Sequence, residues 1–172
     1  MDAELFSRAS SAYERGRVRW AALSALPLAI VPIASFFVGH RLGSSVGLGV
    51  ALLVGATVML WRGQSYARGL TLGLKAGFIP LVLSHGANLY GHLCTASGCT
   101  SLCVPACIAG GLVAGLWIAL SAARAPWQVL ASAASVALLV GSFGCACIGF
   151  GGLAGMTLGL AASMSVTRAF AR

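Results

Sequence analysis

From Trp20 to Arg172 the chain contains no aspartate and no glutamate. Asp2, Glu4 and Glu14 are its only acidic residues, and all three precede the first apolar stretch. A soluble domain covers itself with charge, whereas this chain of 172 residues is 59% hydrophobic and 8% charged. That balance calls for a solvent which is itself apolar. Helices meet the demand because each satisfies its backbone hydrogen bonds within one segment. The expected fold class is therefore an all-α integral membrane protein.

Crossing ~30 Å of hydrocarbon takes roughly 20 apolar residues. Runs near that length predict six transmembrane helices, at 20–38, 44–60, 68–84, 104–122, 127–142 and 148–166, forming a domain over 20–172 behind a short segment 1–19. The apolar stretch from Trp127 to Thr167 is long enough for two spans, and Gly141 to Gly144 is where a tight reversal is easiest. Pro27 and Pro32 in the first span and Pro80 in the third predict kinks.

The basic residues orient this pattern. With a cytoplasmic N-terminus, Arg8, Arg15, Arg17, Arg19, Arg62, Arg68, Arg124, Arg168 and Arg172 fall inside, nine of the eleven basic side chains. Arg41 is the outer exception, and Lys75 lies within the third span. Basic groups near helix ends resist translocation, so both termini are expected in the cytoplasm of a cell inner membrane. A cleaved secretory signal fits poorly, because the first apolar run outlasts a signal core and no small-x-small pattern ends it. The net charge of +8 does not indicate nucleic acid either, since the arginines stand singly at the ends of apolar runs.

Residues 1–19 read as an amphipathic interfacial helix, with Leu5, Ala9, Ala12 and Tyr13 on one face and Glu4, Arg8, Ser11 and Arg15 on the other. Such a helix anchors to the bilayer or contacts a cytoplasmic protein partner. Leu5, Arg8, Tyr13 and Arg15 are the candidate contacts.

A shift of 86 residues, half the chain, aligns Ala51–Gly55 (ALLVG) with Ala137–Gly141 (ALLVG). The same shift aligns Gly69–Leu74 (GLTLGL) with Gly155–Leu160 (GMTLGL). One offset serves both, which points to duplicated halves, 1–86 and 87–172. A three-helix unit entering twice must do so from opposite sides, giving two inverted repeats of the kind found in secondary transporters. The alternative is a duplicated scaffold without a pathway.

Opposite the arginines lie all six cysteines and all three histidines. His92, Cys94, Cys99, Cys103 and Cys107 fall between the third and fourth spans or at the start of the fourth, and Cys145 and Cys147 between the fifth and sixth. In an oxidising compartment an even count points to structural disulfides. Cys145 and Cys147 are too close in sequence to close a relaxed ring, so each is expected to bond to a member of the Cys94–Cys107 group. A soft-metal site for copper or zinc is the alternative. In it Cys99, Cys103 and Cys107 recur at helical spacing, with His92, Cys145 and Cys147 completing the shell. Pro105 and the lack of Cys-x2-Cys pairs weigh against it. A thiol–disulfide oxidoreductase would use Cys103 and Cys107 beside a helix N-terminus, yet there is no Cys-x-x-Cys motif. Neither an enzyme nor a resident cofactor is expected. His40 and His85 read as interfacial. Lys75, the one fixed charge in the membrane core, either snorkels to the headgroups or contacts an anion or carbonyl.

Three functions compete. A membrane sensor or regulator would read metal or oxidant through the outer thiols and act on a partner held by residues 1–19. In layout this resembles the membrane anti-sigma factors of bacteria, and no motif in the chain ties it to a family. A small-solute or soft-metal transporter would use the inverted repeat, although no membrane carboxylate is there to carry a proton. A non-catalytic subunit, or a homo-oligomer, would simply be stapled by its outer disulfides.

Overall fold

A computed structural model describes residues 2–39, 42–90, 92–95, 98–144 and 150–170, with side chains described over 6–37, 46–87, 102, 105–144, 153–166 and 169. It is helical apart from one short hairpin.

The first helix, α1 (Asp2–Ala25), runs unbroken from the charged N-terminal segment into the first apolar run. The expected division at residue 20 is therefore not a structural boundary. Pro27 lacks a backbone N–H, and the helix tightens there into a 3-10 turn, Leu26–Ala29, before continuing as α2 (Ile30–Gly39). The next rod, α3 (Leu42–Arg62), stops at Gly63, whose φ of 125° lies in the region that favours glycine. One residue then suffices for the reversal, because α4 (Gln64–Tyr90) begins immediately. The expected connection between the second and third spans shrinks to Gly63, and α4 runs past the expected end at 84 to take in His85 and Tyr90.

Two strands follow, β1 (His92–Thr95) and β2 (Gly98–Ser101), paired antiparallel with Cys94 opposite Cys99. The remaining helices are α5 (Cys103–Ser121), α6 (Trp127–Ser142) and α7 (Phe150–Phe170). Pro105 is the third residue of α5, still within the turn whose donors have no intrahelical partner. Residues 6–37 and 64–87 are long and apolar enough to cross a membrane, and 46–62, 105–121, 127–142 and 153–166 form shorter apolar helices.

Glycine sets the packing. Along α4, a Cβ added at Gly69, Gly73 or Gly77 would meet Val129 and Ser132, Ala133 and Val136, and Ala137 and Val140 in turn. The ascending order makes α4 and α6 parallel. The approach is close: a Cβ at Gly73 would lie 2.5 Å from the Ala133 carbonyl oxygen. Likewise Gly111 and Gly115 of α5 lie against Met156, then Leu160 and Ser163 of α7, a second parallel pair. Pro80 joins the two pairs, its ring set into notches at Gly110 and Gly141. In the centre Ala76, Ala114, Ile118, Ala133, Ala137 and Leu160 form one apolar cluster. The α1–α3 hairpin leans on this bundle through Ala25, Leu52 and Ala56, which pack with Leu70, Val136 and Val140.

The duplicated motif keeps one use in both copies, since Gly69 and Gly73 and their counterparts Gly155 and Gly159 are all contact glycines. Their partners differ. α4 lies on α6 and α7 on α5, whereas a strict twofold would pair α7 with α3, and among the described residues those two share no extended contact.

Candidate functional site

The packing sorts the molecule into two chemically different ends. At one end the last turns of α4 meet the end of α6, where a Cβ at Gly144 would touch Ser84 and Leu81. The hairpin and the start of α5 belong to this end by connectivity. Cys107, in the second turn of α5, is fully buried and disulfide-bonded. Cys94 and Cys99 face one another across the hairpin, and Cys103 is the first residue of α5. His92 opens β1. His40, Cys145 and Cys147 lie outside the described residues.

The expected row of Cys99, Cys103 and Cys107 on one helix face does not form. Cys99 is in β2, in extended backbone, so only Cys103 and Cys107 share a helix. Among the described residues no three His, Cys, Asp or Glu side chains converge on a metal position.

Lys75 also departs from the interior role. It is exposed on α4 in a stripe with Thr71, Phe78 and Val82, while Gly73, Ala76 and Gly77 take the packed side. An anion or carbonyl held between the helices has no contact with it. The interior offers little else to a solute. The buried hydroxyls of Ser84, Ser132 and Ser142 donate to carbonyls of their own helices, and no buried side-chain nitrogen or oxygen among the described residues lacks a partner.

The opposite end is built by α1 and the close of α3. The Arg17 guanidinium donates to the Trp61 carbonyl oxygen, one of the last-turn acceptors that a helix leaves unmatched. The Trp61 indole N–H donates to Glu14 Oε2 at 3.0 Å, and Glu14 lies 3.7 Å from Arg17. The same guanidinium carbon stands 5.9 Å from the Tyr13 ring centre. Tyr13, Gly16, Arg17, Trp20, Leu60 and Trp61 enclose a cleft of about 390 Å³ here.

Beyond this brace, α1 projects as an arm. Every residue from Phe6 to Gly16 is exposed, Phe6 by 78% and Tyr13 by 67%. Ala9, Ala12 and Tyr13, three of the residues expected on its apolar face, are all exposed. Arg15 donates only to the Ser11 carbonyl oxygen one turn back, and Arg8 is likewise exposed. The side chain of Leu5 lies outside the described set. The brace residues Glu14, Arg17 and Trp61 were not legible as a unit from sequence, because their contacts span 44 and 47 residues. A lone carboxylate directly before Arg15, Arg17 and Arg19 was the only signal.

No family model, curated protein or solved structure matches this chain.

Proposed function

We propose that the chain is a six-span inner-membrane protein acting as a regulator, with a redox- or metal-responsive outer end and an N-terminal cytoplasmic arm that engages a protein partner. The membrane part of this reading is supported by the apolar exterior. Leu23, Ile30, Phe37, Val50, Phe78, Leu120 and Leu158 all point away from the molecule, a distribution far beyond the apolar patches of a soluble monomer. The sorting of arginines and cysteines to opposite ends supports the orientation.

The observation that carries the regulator reading is the continuity of α1. An arm exposed on all sides passes without a break into the first apolar rod and is clamped at Trp61. A charged helix whose described residues from Phe6 to Gly16 are all exposed offers that surface to something outside its own chain. The transporter reading receives no such support, because the interior is closed by glycine seams and self-bonded serines. On this view the duplication survives as a shared packing motif in α4 and α7.

Photo-crosslinkers at Phe6 and Tyr13 in intact cells test the proposal. The expected result is a defined adduct with a cytoplasmic protein, whose yield changes when a membrane-impermeant reductant or a soft metal reaches the outer face. Adducts with lipid alone would remove the partner, and a protein adduct indifferent to both treatments would remove the sensing.

A further inference from the structure

We propose that Cys94 and Cys99 form a disulfide of their own, closed within the hairpin and separate from the bridge made by Cys107. This pair is the one through which the outer end exchanges electrons with external thiols and disulfides.

The argument starts from register. Thr95 pairs with Gly98 across a two-residue link, and Cys94 pairs with Cys99 one step further in. A two-residue hairpin loop is closed by a hydrogen-bonded pair, and the pairs alternate, so the Cys94–Cys99 pair is of the non-hydrogen-bonded kind. Its Cα atoms then stand roughly 4.5 Å apart, with the Cβ atoms near the close end of the cross-strand range. Disulfides need about 4.4–6.8 Å between Cα atoms. No other two cysteines in the described backbone are set opposite one another in this way.

The helix excludes a competing assignment. Cys103 and Cys107 are four residues apart on α5, which sets their Cβ atoms roughly 5–6 Å apart, beyond the ~3.5–4.5 Å of a disulfide. With Cys94 and Cys99 joined to each other, Cys107 is left with Cys145 or Cys147. The two bridges then differ in kind. The Cys107 bridge is buried and closes a long loop, while the hairpin bridge closes a loop of six residues and constrains little of the unfolded chain.

The hairpin pair opens and closes by thiol–disulfide exchange. One hairpin thiolate attacks a sulfur of an external disulfide and expels one thiolate from it, giving a mixed disulfide. The second hairpin thiolate attacks the hairpin sulfur of that intermediate and expels the other. Two hairpin thiols become one S–S bond, and the external disulfide becomes two thiols that take up the two protons. An external dithiol reverses each step.

Alkylation counts on the full-length protein test the pairing. Membranes are blocked with N-ethylmaleimide in denaturant without reduction, and the intact mass is read. C94S and C99S are each expected to gain one alkylated cysteine over the parent, and the double variant none. A double variant that gains two shows that each was bonded elsewhere, and single variants that each lose one show that both were free; either overturns the proposal. Peptic mapping of the unsubstituted protein guards against misfolded variants, since a fragment spanning Cys94 to Cys99 should take two alkyl groups only after reduction. Free hairpin thiols with zinc or copper retained would also overturn it, in favour of the soft-metal site that draws on His92. Graded dithiothreitol should open the hairpin at about tenfold lower concentration than Cys107, because buried sulfur is poorly attacked; the reverse order would remove its exchange role.

That this exchange is the input of a regulator rests on the preceding proposal. The alkylation counts report on pairing whatever the arm binds, and the crosslinks report on the arm whatever the cysteines do.

Discussion

The same residue type does opposite things in the two parts of this molecule. In the α4–α7 bundle a Cβ at Gly69, Gly73, Gly77, Gly111 or Gly159 would strike the backbone of a neighbouring helix. In α3, by contrast, Gly47 and Gly55 have nothing within 4 Å of such an atom. The bundle is therefore held by close backbone approach, and the α1–α3 hairpin by a few side chains and the brace at Trp61. Between α2 and α3 lies an open groove of about 460 Å³, walled by Pro32, Ile33, Phe36 and Val50. A fixed scaffold with a lightly held attachment is the arrangement in which a movable arm costs the fold little.

The largest expected effect comes from cutting the bundle's covalent tie. Cys107→Ala should cost about 2–5 kcal/mol, combining the lost bridge with a small cavity. Thermal unfolding in detergent checks it, and C94S/C99S should shift the midpoint far less. A comparable drop in both would erase the distinction between a buried staple and a hairpin bridge. Next is Gly73→Ala, which forces a methyl to within 2.5 Å of the Ala133 carbonyl oxygen and should cost about 1–3 kcal/mol. Gly159→Ala should behave alike, its Cβ falling 2.6 Å from the Ile108 carbonyl oxygen. Gly55→Ala on α3 should instead be neutral or gain up to about 1 kcal/mol, since alanine is the better helix former and meets no obstacle. If all three alanines were equally harmful, the two regions would not differ in how they pack.

The rods of this fold were legible in the sequence for a simple reason: apolar run length reports directly on helices this hydrophobic. Their ends were less so. Hydropathy drops at Gln64–Arg68 and again at His85–Tyr90, yet α4 includes both, because helical hydrogen bonding tolerates polar residues and the helix starts as soon as Gly63 has made the turn. The hairpin was missed because its eight strand residues, HLCT and GCTS, include one aliphatic side chain and carry no alternating apolar signal, and that concealed the pairing of Cys94 with Cys99. Lys75 fell in the right helix with its face undetermined, since small residues on one side of α4 outweigh its charge only once α6 is in place. The sequence match at a shift of 86 residues includes the contact glycines, but which helix each glycine meets depends on tertiary choices that the match does not encode.

The smallest effect sharpens the comparison most. Trp61→Phe keeps an aromatic ring and the backbone carbonyl that accepts from Arg17, and deletes the indole N–H that donates to Glu14 together with the pyrrole part of the ring. The bond is exposed, so global stability should fall by less than about 1 kcal/mol, and the bundle midpoint should stay within error. What should change is local. Amides of residues 13–20 in α1 should exchange several-fold faster while those of α6 do not, because the arm's opening requires breaking the brace and nothing in the bundle. Glu14→Gln weakens the same bond from its other side and also removes the charge facing Arg17, and the two changes combined should give less than their sum, since they share the Trp61–Glu14 bond. Uniform acceleration across α6 would mean that the arm and the bundle open together, and the attachment would then be part of the scaffold.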